Sequence, residues 1–281
     1  VTATGTTSTG NYSYGIFGKN GVTISGGEVT AEGKVRGISS SSGNIEISGG
    51  IVEATGGFQG ISSKGAVIIS GGKVTATGSY GIGSPYVTIS GGEVTATGTR
   101  TGTGNYSYGI FGGSTVTISG GTVTATGTGT NGNGYGIRSN GGTVTISGGI
   151  VEATGSTQAL NAGTGTITIA PPADTTITVE AGASADNATG VDGSPFGSGT
   201  TDITNDISTA KYFHSETSVS PNIEIGGEEL HGSATNVAYA TTDPSTGKVT
   251  VLQTAPTDDE WNIQWDGETL TLKGATITNA D

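Results

Sequence analysis

One twelve-residue pattern, V/I-x-I-S-G-G-x-V-x-A-x-G, recurs six times in this 281-residue chain. The copies are VTISGGEVTAEG (22–33), IEISGGIVEATG (45–56), VIISGGKVTATG (67–78), VTISGGEVTATG (87–98), VTISGGTVTATG (116–127) and VTISGGIVEATG (144–155). The isoleucines before Ser-Gly-Gly are 23, 22, 20, 29 and 28 residues apart, a period that points to stacked supersecondary units. VTATG at 1–5 reads as the tail of an earlier copy, and TITIA at 166–170 as a degraded later one.

Each copy alternates apolar and polar residues with period two, which is strand periodicity. Val22, Ile24, Val29 and Ala31 are expected inward, with Thr23, Glu28 and Thr30 outward. Ser-Gly-Gly supplies the bend between the two strands, because glycine takes positive φ without a steric penalty. A third short strand follows at a G-I step: Gly37-Ile38, Gly60-Ile61, Gly81-Ile82, Gly109-Ile110, Gly136-Ile137, then Ala159-Leu160. A lone coil buries too few aliphatic side chains to offset the entropy of ordering its backbone, so the coils must stack in register. The expected fold is all-β: a right-handed parallel β-helix of about seven to eight rungs with three strands each, followed by a β-rich capping segment. The high glycine content, 54 residues, suits a fold made of tight bends.

The ISGG-x-V-x-A-x-G repeat with its G-I step resembles the carbohydrate-binding, pectate-lyase-like parallel β-helix repeat proteins of bacterial cell surfaces. The resemblance covers residues 1–170. It implies a polysaccharide partner and a secreted or cell-surface location. Members that bind acidic sugars and calcium often carry Asp-Gly-Ile where this chain has Tyr-Gly-Ile.

Charge divides the chain. Residues 1–173 hold six acids and seven bases with no Asp, while the remaining seventeen acids lie between Asp174 and Asp281. The expected organisation is a repeat array at 1–180, an acidic cap or linker at 181–221, and a small β segment at 222–281. WNIQWDGETLTLKGATI in that last segment looks like the start of a following repeat unit, so the chain reads as a piece of a longer surface protein with neighbouring domains. A net charge of −13 argues against nucleic acid, which needs a basic face. No apolar run is long enough for a membrane span. There is no Cys, so thiolate metal sites and disulfides are unavailable.

Catalysis on this fold would need clustered carboxylates. The array offers only Glu32 and Glu53 as a diagonal pair, and His214 and His231 have no nucleophile or ligand spacing. No cofactor is expected; calcium on Asp186, Asp192, Asp202 and Asp206 is the alternative to a solvated acidic loop. The Thr75/Thr77, Thr95/Thr97 and Thr124/Thr126 pairs form a grid like that of ice-binding solenoids, but Glu32, Glu53 and Glu152 interrupt it.

The nonapeptide GNYSYGIFG occurs at 10–18 and again at 104–112. The residue before each G-I step is Tyr14, Arg36, Gln59, Tyr80, Tyr108, Tyr135 or Gln158. A column that accepts Arg and Gln must reach water, so its tyrosines are expected to be partly exposed. Tyr80, Tyr108 and Tyr135 fall on consecutive rungs and should form an aromatic ladder. The turns before Tyr108 and Tyr135 are the long ones, and long solenoid turns gather on the binding face. The expected carbohydrate-binding residues are Tyr80, Arg100, Asn105, Tyr106, Tyr108, Tyr135 and Arg138. The expected function is a non-catalytic polysaccharide-binding module. A structural spacer or adhesin stalk is the alternative, and a polysaccharide lyase comes third.

Overall fold

The computed structural model describes residues 1–5, 13–100, 106–129, 133–173, 175–219, 222–225, 228–231, 238–246, 248–252, 261–265 and 270–273. It divides into two compact units, Val1–Pro172 with Ile177–Thr217, and Ala173–Thr176 with Ser218–Asp281.

The first unit is a parallel β-helix of three ladders. The V-x-I strands build the first ladder, from Val22–Ile24 through Ile45–Ile47 and Ala66–Ile69 to Ile167–Ile169. The V-x-A-x-G strands build the second, from Thr2–Gly5 and Glu28–Gly33 to the end of Val144–Gly155. The G-I strands build the third, from Tyr14–Gly18 and Arg36–Ser40 to Gln158–Asn161. Ser107–Gly129 passes through all three ladders as one continuous strand. Among the described residues each ladder carries seven parallel coils, in line with the sequence period.

Register makes every sequence column a line along the molecule. Ile24, Ile47, Ile69, Ile89, Ile118, Ile146 and Ile169 pair one above the next, and all are buried. The alanines Ala31, Ala54, Ala76, Ala96, Ala125 and Ala153 do the same. Small size there serves a close approach. A Cβ placed on Gly109 of the third ladder would lie 2.7 Å from the Thr126 nitrogen and 2.6 Å from the Gly136 carbonyl oxygen. The second glycine of each Ser-Gly-Gly bend takes φ between 78° and 86°, at Gly27, Gly50, Gly72, Gly92, Gly121 and Gly149. The bends therefore stack as the strands do.

The coil end is closed by three pieces of the segment expected to be an acidic cap or linker. Tyr212–Val219 pairs antiparallel with the second ladder at Ile150–Thr154, placing buried Phe213 over Ala153. Thr201–Asp202 pairs antiparallel with Ile167–Ile169. The Ala210 carbonyl accepts from the Ala159 amide at 2.8 Å over the third ladder. Several pieces are needed because all three ladders must have their edge groups satisfied. By compactness this capping segment belongs with the array up to Thr217.

The second unit is antiparallel. Asn222–Ile225 pairs with Glu228–His231, and Ala238–Thr242 lies between Val249–Val251 and Ile263–Trp265, with Leu270–Leu272 beyond. Ile225, Leu230, Ala240, Val249 and Ile263 form its core.

Candidate functional site

The outward side chains of the third ladder form two adjoining columns. One runs Tyr14, Arg36, Gln59, Tyr80, Tyr108, Tyr135, Gln158. The other runs Phe17, Ser39, Ser62, Gly83, Phe111, Arg138, Asn161 in the same coils. Aromatic residues from both columns meet. Tyr80 contacts Tyr108 edge-on at 4.6 Å between centroids, and Tyr108 stacks on Tyr135 at 5.7 Å. Phe111 stacks against Tyr108 at 4.9 Å, and Phe58, from the turn before Gln59, leans on Tyr80 at 5.1 Å.

Tyr106 enters from the long turn and lies parallel to Tyr108, with ring centroids 6.0 Å apart. The Arg138 guanidinium sits over Tyr135, Tyr106 and Tyr108 at 4.9, 5.6 and 5.7 Å, geometry in which a cation is held by the ring quadrupoles. Its Nη1 donates to the Tyr108 hydroxyl at 3.4 Å, while its buried Nε has no partner among the described residues.

This packing corrects one expectation. Tyr108 is only 4% exposed, because Tyr106, Phe111 and Arg138 enclose it. Burial raises its phenol to about 12, with Arg138 acting in the opposite direction. Burial likewise raises the Tyr80 phenol, opposed by Arg100 and Arg138. The water-facing rings are Tyr106, at 45% exposed, with Tyr80 and Tyr135 half-buried. Tyr108 is the internal support on which they rest.

The other expected residues separate. Arg100 ends the Glu93–Arg100 strand and reaches the Phe58 ring at 6.0 Å, at the Tyr80 side of the cluster. Asn105 lies outside the described residues, as do residues 101–104 and 130–132 of the two long turns. Phe58 and Phe111 were not expected. Phe111 was legible as the second outward position after Tyr108, whereas Phe58 occupies a turn position with no periodic signal. A shallow depression of about 300 Å³ continues the face from Tyr80 and Phe111 past Phe58, Gln59 and Ser62 to Arg36.

The acids and histidines do not form a comparable site. Glu32 and Glu53 lie diagonally across adjacent second-ladder strands, with Thr55 and Thr30 directly opposite them. His214 faces Glu152 across the cap pairing. The Asp202 carboxylate accepts from the Thr204 amide at 2.9 Å and from its hydroxyl, which holds its pKa below the ordinary value. No group of three or more Asp, Glu or His side chains converges as a metal site among the described residues. None of their helices is long and apolar enough to cross a membrane.

Stacked parallel coils with one aromatic face define a parallel β-helix protein. Six stretches, 22–44, 45–66, 67–84, 87–114, 116–137 and 144–168, match the family described as Beta helix repeat. Comparison with curated proteins and with solved structures returns no match.

Proposed function

We propose that this protein is a non-catalytic polysaccharide-binding module of a secreted or cell-surface protein, gripping sugar through the aromatic corner of the third ladder. Neighbouring domains of a longer chain would position it. The observation that carries this reading is the pair of Tyr106 and Tyr135 rings held around Arg138, with Tyr80 continuing the cluster beyond Tyr108. Flat half-exposed rings suit the C–H faces of pyranoses, and a guanidinium donates to ring hydroxyls. No cofactor is needed for binding of this kind, and the face carries no carboxylate to act as acid or base among its described residues.

Affinity electrophoresis in gels containing a panel of polysaccharides tests the reading. Tyr106→Ala and Tyr135→Ala are each expected to weaken retardation by about fivefold to tenfold. Retardation by no polymer, or retardation indifferent to both changes, leaves the spacer or stalk reading. Release of unsaturated sugars from a uronate polymer would replace both with a lyase.

A further inference from the structure

Charge on the array is sorted by ladder. All six acids of residues 1–173 lie on the first two: Glu46 on the first, and Glu28, Glu32, Glu53, Glu93 and Glu152 on the second. Of the seven bases, Arg36 and Arg138 lie on the third ladder. Lys19, Lys34, Lys64 and Arg100 lie in the turns that flank it or at the strand end leading to it. Lys73 is the exception, on the second ladder and paired with Glu93 at 2.5 Å. Among the described residues of the array the bases therefore gather on one face, and that face is the aromatic one.

A second aromatic station stands on it. Tyr14 and Phe17, from the first nonapeptide copy, stack at 5.0 Å, close to the 4.9 Å of Tyr108 and Phe111 in the second copy. Here too the next coil supplies an arginine: Arg36 lies 5.8 Å from the Tyr14 centroid, and its Nε donates to the Gln59 side-chain oxygen at 2.8 Å. Tyr14, Phe17, Arg36, Ser39, Ser62 and Lys64 line a depression of about 350 Å³. Arg36 and Ser62 also line the depression that begins at Tyr80 and Phe111. The two stations are therefore continuous, and four coil spacings of about 4.8 Å separate Tyr14 from Tyr108 by about 19 Å.

We propose that the Tyr14–Phe17–Arg36–Lys64 depression is a second sugar-binding station, and that the strip joining it to the Arg138 cluster takes a polysaccharide bearing carboxylate or sulfate groups. This rests on the polysaccharide-binding reading and deepens it. Stacked rings take the sugar faces, and Arg36 and Lys64 take the anionic substituents. The cations are spread at about one per coil. That spacing suits a polymer with at most one or two charges per sugar, not a duplex with one charge per about 1.7 Å of axis.

Isothermal titration of the full chain with two matched pairs tests this: polygalacturonate against its methyl ester, and dextran sulfate against dextran. The pairs also separate carboxylate from sulfate. At least one acidic polymer is expected to bind about tenfold or more tightly than its neutral partner, and to weaken as salt rises. Arg36→Gln with Lys64→Gln is expected to cost about tenfold on that polymer. Glutamine already occupies this column at Gln59 and Gln158, so the fold accommodates the change, and a melting curve checks it. Lys73→Gln removes a single positive charge from another face and is expected to leave binding unchanged, as against the Arg36→Gln and Lys64→Gln single variants. Equal binding of acidic and neutral partners, an equal loss in Lys73→Gln, or equal competition by a thymidine oligonucleotide overturns the proposal while leaving sugar binding intact. Sensitivity to Tyr106→Ala without sensitivity at Arg36 and Lys64 overturns the second station. Binding to none of the four, nor to any other polysaccharide, overturns the underlying reading as well.

Discussion

Tyr108 shows how one position in a repeated column can change its role. Its equivalent Arg36 projects half-buried beside small Ser39, and Gln59 is buried with its side-chain oxygen held by the Arg36 Nε, whereas Tyr108 projects beside Phe111 and beneath Tyr106 and is enclosed by rings. A phenol whose pKa is higher in the folded chain keeps its proton longer there than in the unfolded chain. Its contribution to stability is intact below pH about 10, the unfolded value, and is lost as pH rises toward about 12. Ultraviolet titration is therefore expected to show a late-ionising tyrosine fraction that shrinks in Tyr108→Phe, the Tyr80 phenol remaining in it. The melting temperature of the wild type is expected to fall more steeply than that of Tyr108→Phe between pH 10 and 12. Superimposable curves would remove the enclosed phenol as the cause.

At the scale of the strand, the third ladder crosses close to the second, and its glycine column is the condition for that crossing. Gly109→Ala drives a methyl group into the Thr126 nitrogen and the Gly136 carbonyl and is expected to cost about 1–3 kcal/mol in urea unfolding. The final coil carries Ala159 in the same column, where no further coil of the array follows. Ala159→Gly is expected to cost less than about 1 kcal/mol. Strands, bends, register and inward columns were all legible because stacking turns each recurrence into a contact. The cap was not: Tyr212–Val219 pairs antiparallel and bears no copy of the pattern. The site was legible in part. Tyr80, Tyr106, Tyr135 and Arg138 could be placed from columns and turn lengths. The burial of Tyr108 depends on ring packing, and the intrusion of Phe58 on a turn, neither of which has a period.

The first unit is a stack in which each coil touches only its neighbours, so its ends bear the liability of unpaired strand edges. Phe213, fully buried over the last alanine of the column, plugs the core where the pattern stops. Phe213→Ala is expected to lower the unfolding free energy by about 3–5 kcal/mol. Light scattering is expected to show association growing with protein concentration as the last strands become available to a second chain. A variant that loses stability yet stays monomeric would mean that hydrogen bonding by Tyr212–Val219 suffices to shield the edge.

The alignment of columns also bears on how such a surface can change over generations. Copying or deleting one whole coil between the two Tyr-Phe pairs would move them apart or together by a single strand spacing, with both still looking out of the same side. The array thus works like a ruler with fixed graduations. Tandem duplication of a coil would retune which spacing of groups along a polymer it matches, with no change to either gripping point.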